Sequence, residues 1–260
     1  MVLERLVNAR ELLKDPLKAF FLGVIISLIS LFIAYTVFPQ STGLFTVIII
    51  TMASIPLMNR VLRYEEHEDE KMMESHTFFQ RYGDIIIAYI ALFSGMIIAM
   101  SLSFVVLPDV VVERVFDEQI SEINIIRGKF EFGNKFVEIF ANNSSVLTLS
   151  FLFSFLFGSG AVFILGWNAS VLSAAIGLIA KSSGGLKGVP SAVLMFLPHG
   201  SFEIGAYFIG AIAGGLVSAA IMRRKSVKFW SVVQDSMKLL VLSFLFLVIG
   251  GIIETTIILI

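Results

Sequence analysis

The sequence predicts an all-α membrane protein: a polytopic bundle of about seven transmembrane helices, one of them short or broken, with amphipathic helices at the interface. Of its 260 residues, 57% are hydrophobic and only 15% are charged. That composition leaves too little polar surface to cover a water-soluble globule of this size. Apolar runs recur along the whole chain and approach the roughly 20 helical residues that cross about 30 Å of hydrocarbon.

The charge and the residue counts argue against several classes of function. A formal net charge of -1, without a long basic tract, gives no reason to expect nucleic acid as a partner. The sequence contains no cysteine, which excludes disulfides and thiolate chemistry. No serine stands in a nucleophile elbow, and one histidine with one glutamate is short of the three protein ligands of a catalytic zinc. We therefore expect no enzyme activity, no metal and no cofactor.

Six apolar runs approach the length of a span, and a seventh, residues 168–180, is short. The six are residues 19–38, 44–58, 84–107, 146–166, 204–222 and 237–260. Three basic clusters, at 5–18, 60–81 and 223–228, lie near span ends and should all be cytoplasmic. All three clusters can be cytoplasmic only if the short run, residues 168–180, also crosses the membrane. This predicts seven spans in the cell membrane, with the N-terminus cytoplasmic and the C-terminus outside.

The short run and the segment after it predict irregular structure at membrane depth. Residues 168–180 would cover only about 20 Å as a helix, so the run must tilt little and thin the bilayer, extend through Lys181, or lie inside the bundle. Of these we expect an interior, broken helix. A glycine-rich turn follows at 181–190, and the apolar run 189–197 is too short to span. Such half-helices are tolerated only where protein or a watery cavity satisfies the freed backbone groups.

Three further segments lie outside these runs. Residues 1–18 are predicted to be an amphipathic cytoplasmic helix on the bilayer, with its apolar residues toward the lipid. Those residues are Val2, Leu3, Leu6, Val7, Leu12 and Leu13. On the outer side, helical spacing of apolar residues in 109–141 predicts two interfacial helices separated near Gly128. The acidic tract at 65–70 is interpreted as a solvated helix face, because nothing in it fixes the geometry of metal ligands.

His199 and Glu203 are the first candidates for a functional site, because each ionisable side chain at bilayer depth costs about 3 kcal/mol. Such groups normally persist only where they line a cavity, form a pair or take part in function. Two interpretations remain open. If a helix begins at Pro198, the spacing of four places both side chains on one face. If Gly200 is the N-cap, Glu203 merely complements the positive end of the helix dipole.

Three asparagines and one further glutamate are the other polar residues of interest. Asn142 and Asn143 are predicted at the start of a helix, where capping of the free N–H groups explains one asparagine and leaves the other without a structural role. Asn168 is expected to cap or break the short helix, with its carboxamide inside the bundle. Glu254 is expected either near the outer interface or paired inside the bundle, and its position near the C-terminus favours the interface. The predicted polar centre, a candidate for ligand binding, consists of His199, Glu203, Asn143, Asn168 and Asn142.

Small residues recur at intervals of four on two predicted helices. They are Gly210, Gly214 and Ser218 on one, and Gly166 and Ser170 on the other. Such a stripe allows helices to approach closely. Packing within one chain and formation of a homodimer through the Gly210 face both remain open.

Three groups of residues, in order along the chain, resemble those of the stage II sporulation protein M family of integral membrane proteins. They are Phe136-x-x-Ile139-Phe140-x-Asn142-Asn143, the points Gly158-x-Gly160 and Gly166-x-Asn168, and Leu197-Pro198-His199-Gly200-x-x-Glu203. The resemblance covers roughly residues 84–260. It implies a membrane scaffold, which in sporulating bacteria is a partner of cell-wall hydrolases during engulfment.

Two parts and two functional hypotheses follow. Residues 1–83 would add an amphipathic helix, two spans and an acidic cytoplasmic loop to a five-helix core at 84–260. The first hypothesis is a scaffold or assembly factor whose partners are the lipid bilayer and other membrane or envelope proteins. The alternative is a permease or channel, or the membrane subunit of a transporter, with its polar centre at His199 and Glu203. A polar centre connected to both sides by water would favour transport.

Overall fold

The computed structural model describes residues 9–71, 78–130, 135–222 and 229–259. All the regular structure in this part of the chain is helical. Its α-helices are α1 Ala9–Lys14, α2 Pro16–Val37, α3 Thr42–Lys71, α4 Phe78–Val106, α5 Asp109–Val115, α6 Asp117–Phe130, α7 Lys135–Phe157, α8 Ala161–Ser182, α9 Val189–Met222 and α10 Phe229–Leu259. A short 3-10 helix, Gly185–Gly188, precedes α9.

Seven of these helices are long and apolar enough to cross a membrane, namely α2, α3, α4, α7, α8, α9 and α10. This confirms the predicted all-α, multi-pass bundle. Consecutive spans run in alternating directions, so α5, α6 and the turn before α9 lie on one side, called here the loop face. The ammonium of Lys181, at the end of α8, bonds the Asp109 carboxylate and the carbonyl oxygen of Leu107 at the end of α4. Both helices therefore end at the loop face.

The boundary between α7 and α8 corrects the predicted spans. The apolar run 146–166 is not one helix: it turns at Gly158, whose φ of 72° favours glycine. Asn59 of α3 holds this turn, because its Oδ1 accepts hydrogen bonds from the Ser159 backbone N–H at 3.2 Å and the Ser159 hydroxyl at 2.6 Å. The predicted short, broken helix at 168–180 is consequently wrong. It belongs to α8, whose 22 residues extend about 33 Å.

Helix α9 is continuous over 34 residues and has Pro198 in its interior. The predicted half-helix at 189–197 is therefore wrong, and so are the two proposed helix starts at Pro198 and Gly200. A proline inside a membrane helix frees one carbonyl from the helical ladder, which a packed bundle can tolerate. The predicted glycine-rich turn before α9 is present, with Gly184 at φ 102° and Gly185 at φ 70°.

Two predicted surface segments also differ from the structure. Leu12 and Leu13 of α1 are buried in the core and do not face lipid, because α1 packs against α2, α3 and α4. Residues 1–8 lie outside the described part of the chain, and so do the side chains of the acidic tract at 65–70. The helices of the loop face are separated at Phe116 rather than near Gly128. Phe116 is buried, with its ring centroid 5.0 Å from that of Phe104.

Glycines set the closest helix crossings. A methyl group on Gly23 of α2 would collide with the carbonyl of Leu92 on α4, and one on Gly95 would collide with that of Phe20. The same holds between α9 and α7, where Gly214 lies against the carbonyl of Phe151. These contacts bring the helix backbones together, as small residues do in membrane bundles.

Candidate functional site

A cavity of about 360 Å³ lies among α4, α6, α7, α8, α9 and α10. Its polar lining residues are Asn142, Asn143, Asn168, His199, Glu203, Tyr207 and Glu254. The rest of the wall is mostly aliphatic and aromatic. Ile123 and Ile126 of α6 form part of it, so the cavity lies in the half of the bundle next to the loop face. The structure thus brings all five residues of the predicted polar centre to one cavity.

Asn143 and Glu203 are directly bonded across α7 and α9. The Asn143 carboxamide nitrogen donates a hydrogen bond of 2.7 Å to Glu203 Oε1, and Asn143 is only 7% exposed. Asn142 Nδ2 donates in turn to Asn143 Oδ1 at 3.4 Å. The prediction that these asparagines cap a helix is wrong, because α7 already begins at Lys135. They lie more than a turn inside it, so the amide of Asn143 can donate its hydrogen bond to Glu203.

Glu254 lines the cavity inside the bundle, so the favoured of its two predicted positions, at the interface, is wrong. Its side chain lines the same cavity as that of Glu203. Helix α10 comes this close to α9 because residue 250 is a glycine: a Cβ there would lie 2.9 Å from Glu203 Cγ. Glu254 is one helical turn further along the same face. The site therefore contains two acidic side chains, contributed by two helices.

His199 lines the same cavity and is only 8% exposed. Its ring centroid lies 5.9 Å from that of Phe196. Its Nδ1 atom is buried and has no hydrogen-bond partner among the described residues. Glu203, one turn further along α9, accepts a hydrogen bond from Asn143 instead. A direct energetic coupling of His199 and Glu203 stays a prediction, while their shared cavity is a feature of the structure.

Asn168 lies within α8 and neither caps nor breaks it. Its Nδ2 donates to the Ile164 carbonyl oxygen one turn back, at 2.9 Å, and the residue lines the cavity. Ser170, on the same helix, donates to the Trp167 carbonyl and accepts a 3.2 Å hydrogen bond from Gln119 of α6. That bond ties the loop face to the bundle.

The remaining small residues pack within the chain. Gly210 lies against Leu147 of α7, and Gly166 faces Val47 of α3. Ser218 is buried. Because α7 of the same chain covers the Gly210 face, that face is not open to a second copy.

Sequence reasoning missed Tyr207 and misplaced Glu254. Tyr207 is 6% exposed and lines the cavity one turn beyond Glu203. Two signals point to these residues: polar side chains repeat at intervals of four through His199, Glu203 and Tyr207, and a glycine precedes Glu254 by four. Among the described residues, no group of three or more histidine or acidic side chains could hold a metal ion.

The comparison with protein families decides the assignment. The model of the stage II sporulation protein M family matches residues 43–257. The chain belongs to this family. The match begins before residue 84, so it includes α3 in addition to the five-helix region in which the resemblance was recognised, and it contains every residue that lines the cavity. No curated protein and no solved structure shows a significant match to the chain.

Proposed function

We propose that this family member is a non-enzymatic membrane scaffold, which gathers other membrane or envelope proteins at its loop face. The observation that carries the proposal is the tight seam between α7 and α9 beyond the cavity. On that seam a methyl group at Gly210 would collide with Leu147, and one at Gly214 would collide with the Phe151 carbonyl. A solute leaving the cavity along this seam would have to separate two helix backbones. The geometry thus supports binding from one side better than passage through the bundle.

A permease is the second candidate, and the cavity itself favours it. Buried ionisable side chains in a membrane bundle commonly mark the path of a substrate or an ion. Here His199, Glu203 and Glu254 converge on one such cavity. Transport would require the seam between α7 and α9 to open during each cycle, whereas scaffolding requires no such movement.

Two measurements on the full chain separate the candidates. A photocrosslinking amino acid is placed at Val110 on α5, which is 81% exposed, and as a matched control at Phe32 on α2, which is 70% exposed. In host cells the scaffold proposal predicts a discrete, reproducible protein adduct from position 110 and none from position 32. The purified chain in liposomes should leave an imposed pH or potassium gradient intact.

Two opposite results would overturn the scaffold role. One is gradient dissipation by the purified chain that is abolished by Glu203→Gln. The other is the absence of adducts from position 110 in cells that express the chain at its native level. The first result would establish the permease alternative.

A further inference from the structure

The charges around the cavity have one sign. Glu203 and Glu254 contribute two carboxyl groups from two helices, and no lysine or arginine is among the described residues that line the cavity. The titratable groups that face the pair are His199 and Tyr207, both on α9. Helices α4, α6, α7 and α8 contribute only apolar side chains and asparagines to the wall. Nothing in this wall supplies a fixed positive charge.

The carboxyl pair itself implies a proton. An ionised carboxylate can only accept hydrogen bonds, so a hydrogen bond between two carboxyl groups requires a proton on one of them. Glu203 and Glu254 line one cavity without a basic side chain, and α10 contacts Glu203 at Gly250, one helical turn before Glu254, so we infer that the pair holds one proton. A cation that reaches the pair would take over the role of this proton, since two uncompensated carboxylates in a low-dielectric site are unfavourable.

We propose that this cavity binds a small organic ammonium ion, whose charge replaces the proton shared by Glu203 and Glu254. The inference does not rest on the scaffold role, because a cavity beside the loop face can hold a ligand in a scaffold or in a permease. The empty pair holds one proton. The bound ammonium leaves both carboxylates ionised, and the displaced proton passes to solvent.

An organic ion fits the cavity better than a bare metal ion does. A volume of about 360 Å³ lies within the range of small-molecule sites, which begins at roughly 300 Å³. The aromatic rings of Phe93, Phe196 and Phe208 line the wall, and aromatic faces attract organic cations. The wall thus offers apolar and aromatic surface to the carbon part of the ligand and carboxylates to its ammonium group.

His199 supplies an independent sign that a ligand is missing. Its side chain is more than nine-tenths buried at the cavity, and its Nδ1 has no hydrogen-bond partner among the described residues. Buried polar atoms normally have a partner. With the proton on Nε2, Nδ1 is an acceptor and can receive one N–H of the ammonium. The two carboxylates can receive the others.

The test uses the full chain in detergent and n-butylammonium, with 1-butanol and butyrate as matched ligands that lack the positive charge. Binding is measured by thermal stabilisation and by a pH indicator in weak buffer. We expect stabilisation by n-butylammonium alone, with release of about one proton per ligand bound. We also expect the affinity to rise with pH, because the ligand and the proton compete for the same carboxyl pair.

Variants locate the site. Glu203→Gln and Glu254→Gln should each weaken binding roughly tenfold or more, the usual effect of removing a charge-assisted hydrogen bond. Glu113→Gln is the matched control, because Glu113 is exposed on α5 outside the cavity, and it should bind as the unaltered chain does. Proton release on binding of n-butylammonium is measured on the unaltered chain. It therefore tests the proposal even if a variant fails to fold.

Four results would overturn the proposal. Equal stabilisation by 1-butanol would show an apolar pocket without a cation site. Stabilisation by sodium or potassium chloride that n-butylammonium does not increase would assign the pair to an inorganic ion. Binding of n-butylammonium without proton release, or with Glu113→Gln as harmful as Glu203→Gln, would place the ligand elsewhere.

Discussion

Gly250 of α10 lies against Glu203 of α9, close enough that a Cβ at position 250 would lie 2.9 Å from Glu203 Cγ. The same Cβ would lie 3.4 Å from the carbonyl oxygen of His199. The glycine therefore decides how closely the two helices approach, and with it whether Glu254 reaches Glu203. Gly250 is therefore required for the geometry of the polar site, although it has no side chain of its own.

Replacing Gly250 with alanine should lower stability in detergent. The added methyl group must push Glu203 or the α9 backbone aside, and overpacking of this kind costs about 1–3 kcal/mol. Gly200→Ala is the control, because a Cβ at position 200 meets nothing within 4 Å. In a helix interior that change should be neutral or stabilising by up to about 1 kcal/mol. Equal melting temperatures for the two variants would contradict the contact.

The seam between α7 and α9 gives a second prediction, in which the chemistry of the contacted atom decides the cost. Gly214→Ala meets the Phe151 carbonyl oxygen and would lie 2.9 Å from the Phe155 backbone nitrogen, whereas Gly210→Ala meets the end of the Leu147 side chain. A side chain can rotate away and a helix backbone cannot. We therefore expect Gly214→Ala to lower the melting temperature more than Gly210→Ala, and leucine at either position to lower it further.

The detergent-solubilised mass checks the same seam. Because the contact lies within one chain, none of these variants should change the mass of the solubilised protein. A variant that halves the mass would instead place the Gly210 face at an interface between two copies.

The membrane class of the fold was predictable because hydropathy is summed over many residues. The boundary between α7 and α8 and the start of α9 were not predictable in this way. The run 146–166 is apolar on both sides of Gly158, so no hydropathy change marks the turn. The turn is fixed by a distant residue, Asn59, which binds Ser159 from α3. Pro198 misled in the opposite direction, because a proline that starts a helix in water can lie inside one in a packed membrane bundle.

The polar centre was predictable from residue type, because ionisable and amide side chains in apolar runs must find partners. Which partner each one finds depends on how helices distant in sequence cross. Local spacing suggests a pair of Glu203 with His199, yet Glu203 accepts its hydrogen bond from Asn143, which precedes it by 60 residues. The second acidic side chain of the cavity, Glu254, comes from α10. The position of Glu254 near the C-terminus favours the interface. That position alone does not reveal that α6 helps to enclose the cavity around this residue.

The orientation of the bundle is a third prediction. The basic cluster at 223–225 should resist translocation, which places the loop face outside. The chain has no cysteine, so single introduced cysteines report cleanly. A membrane-impermeant maleimide should label Lys187→Cys, which is exposed in the turn before α9, in intact cells. Lys225→Cys, outside the described residues, should react only after permeabilisation, and a reporter after residue 260 should lie outside. Reversed labelling would invert the bundle.

The last prediction concerns the bond between Asn143 and Glu203. Its length of 2.7 Å and the burial of Asn143 indicate a strong interaction, since leaving a buried hydrogen-bonding group without its partner costs about 1–3 kcal/mol. A double-mutant cycle on thermal stability in detergent, with Asn143→Ala, Glu203→Gln and the double change, should give an interaction energy of at least about 1 kcal/mol.

A parallel cycle with His199→Ala and Glu203→Gln tests the pairing suggested by the sequence. The two side chains share the cavity, but the hydrogen bond to the carboxyl group comes from Asn143 on α7, so we expect a smaller interaction energy than in the first cycle. Distant sites add within about 0.5 kcal/mol. Additivity in the first cycle with strong coupling in the second would show that Glu203 is held by its own helix. The cavity would then be organised by local spacing on α9 and not by the crossing of three helices.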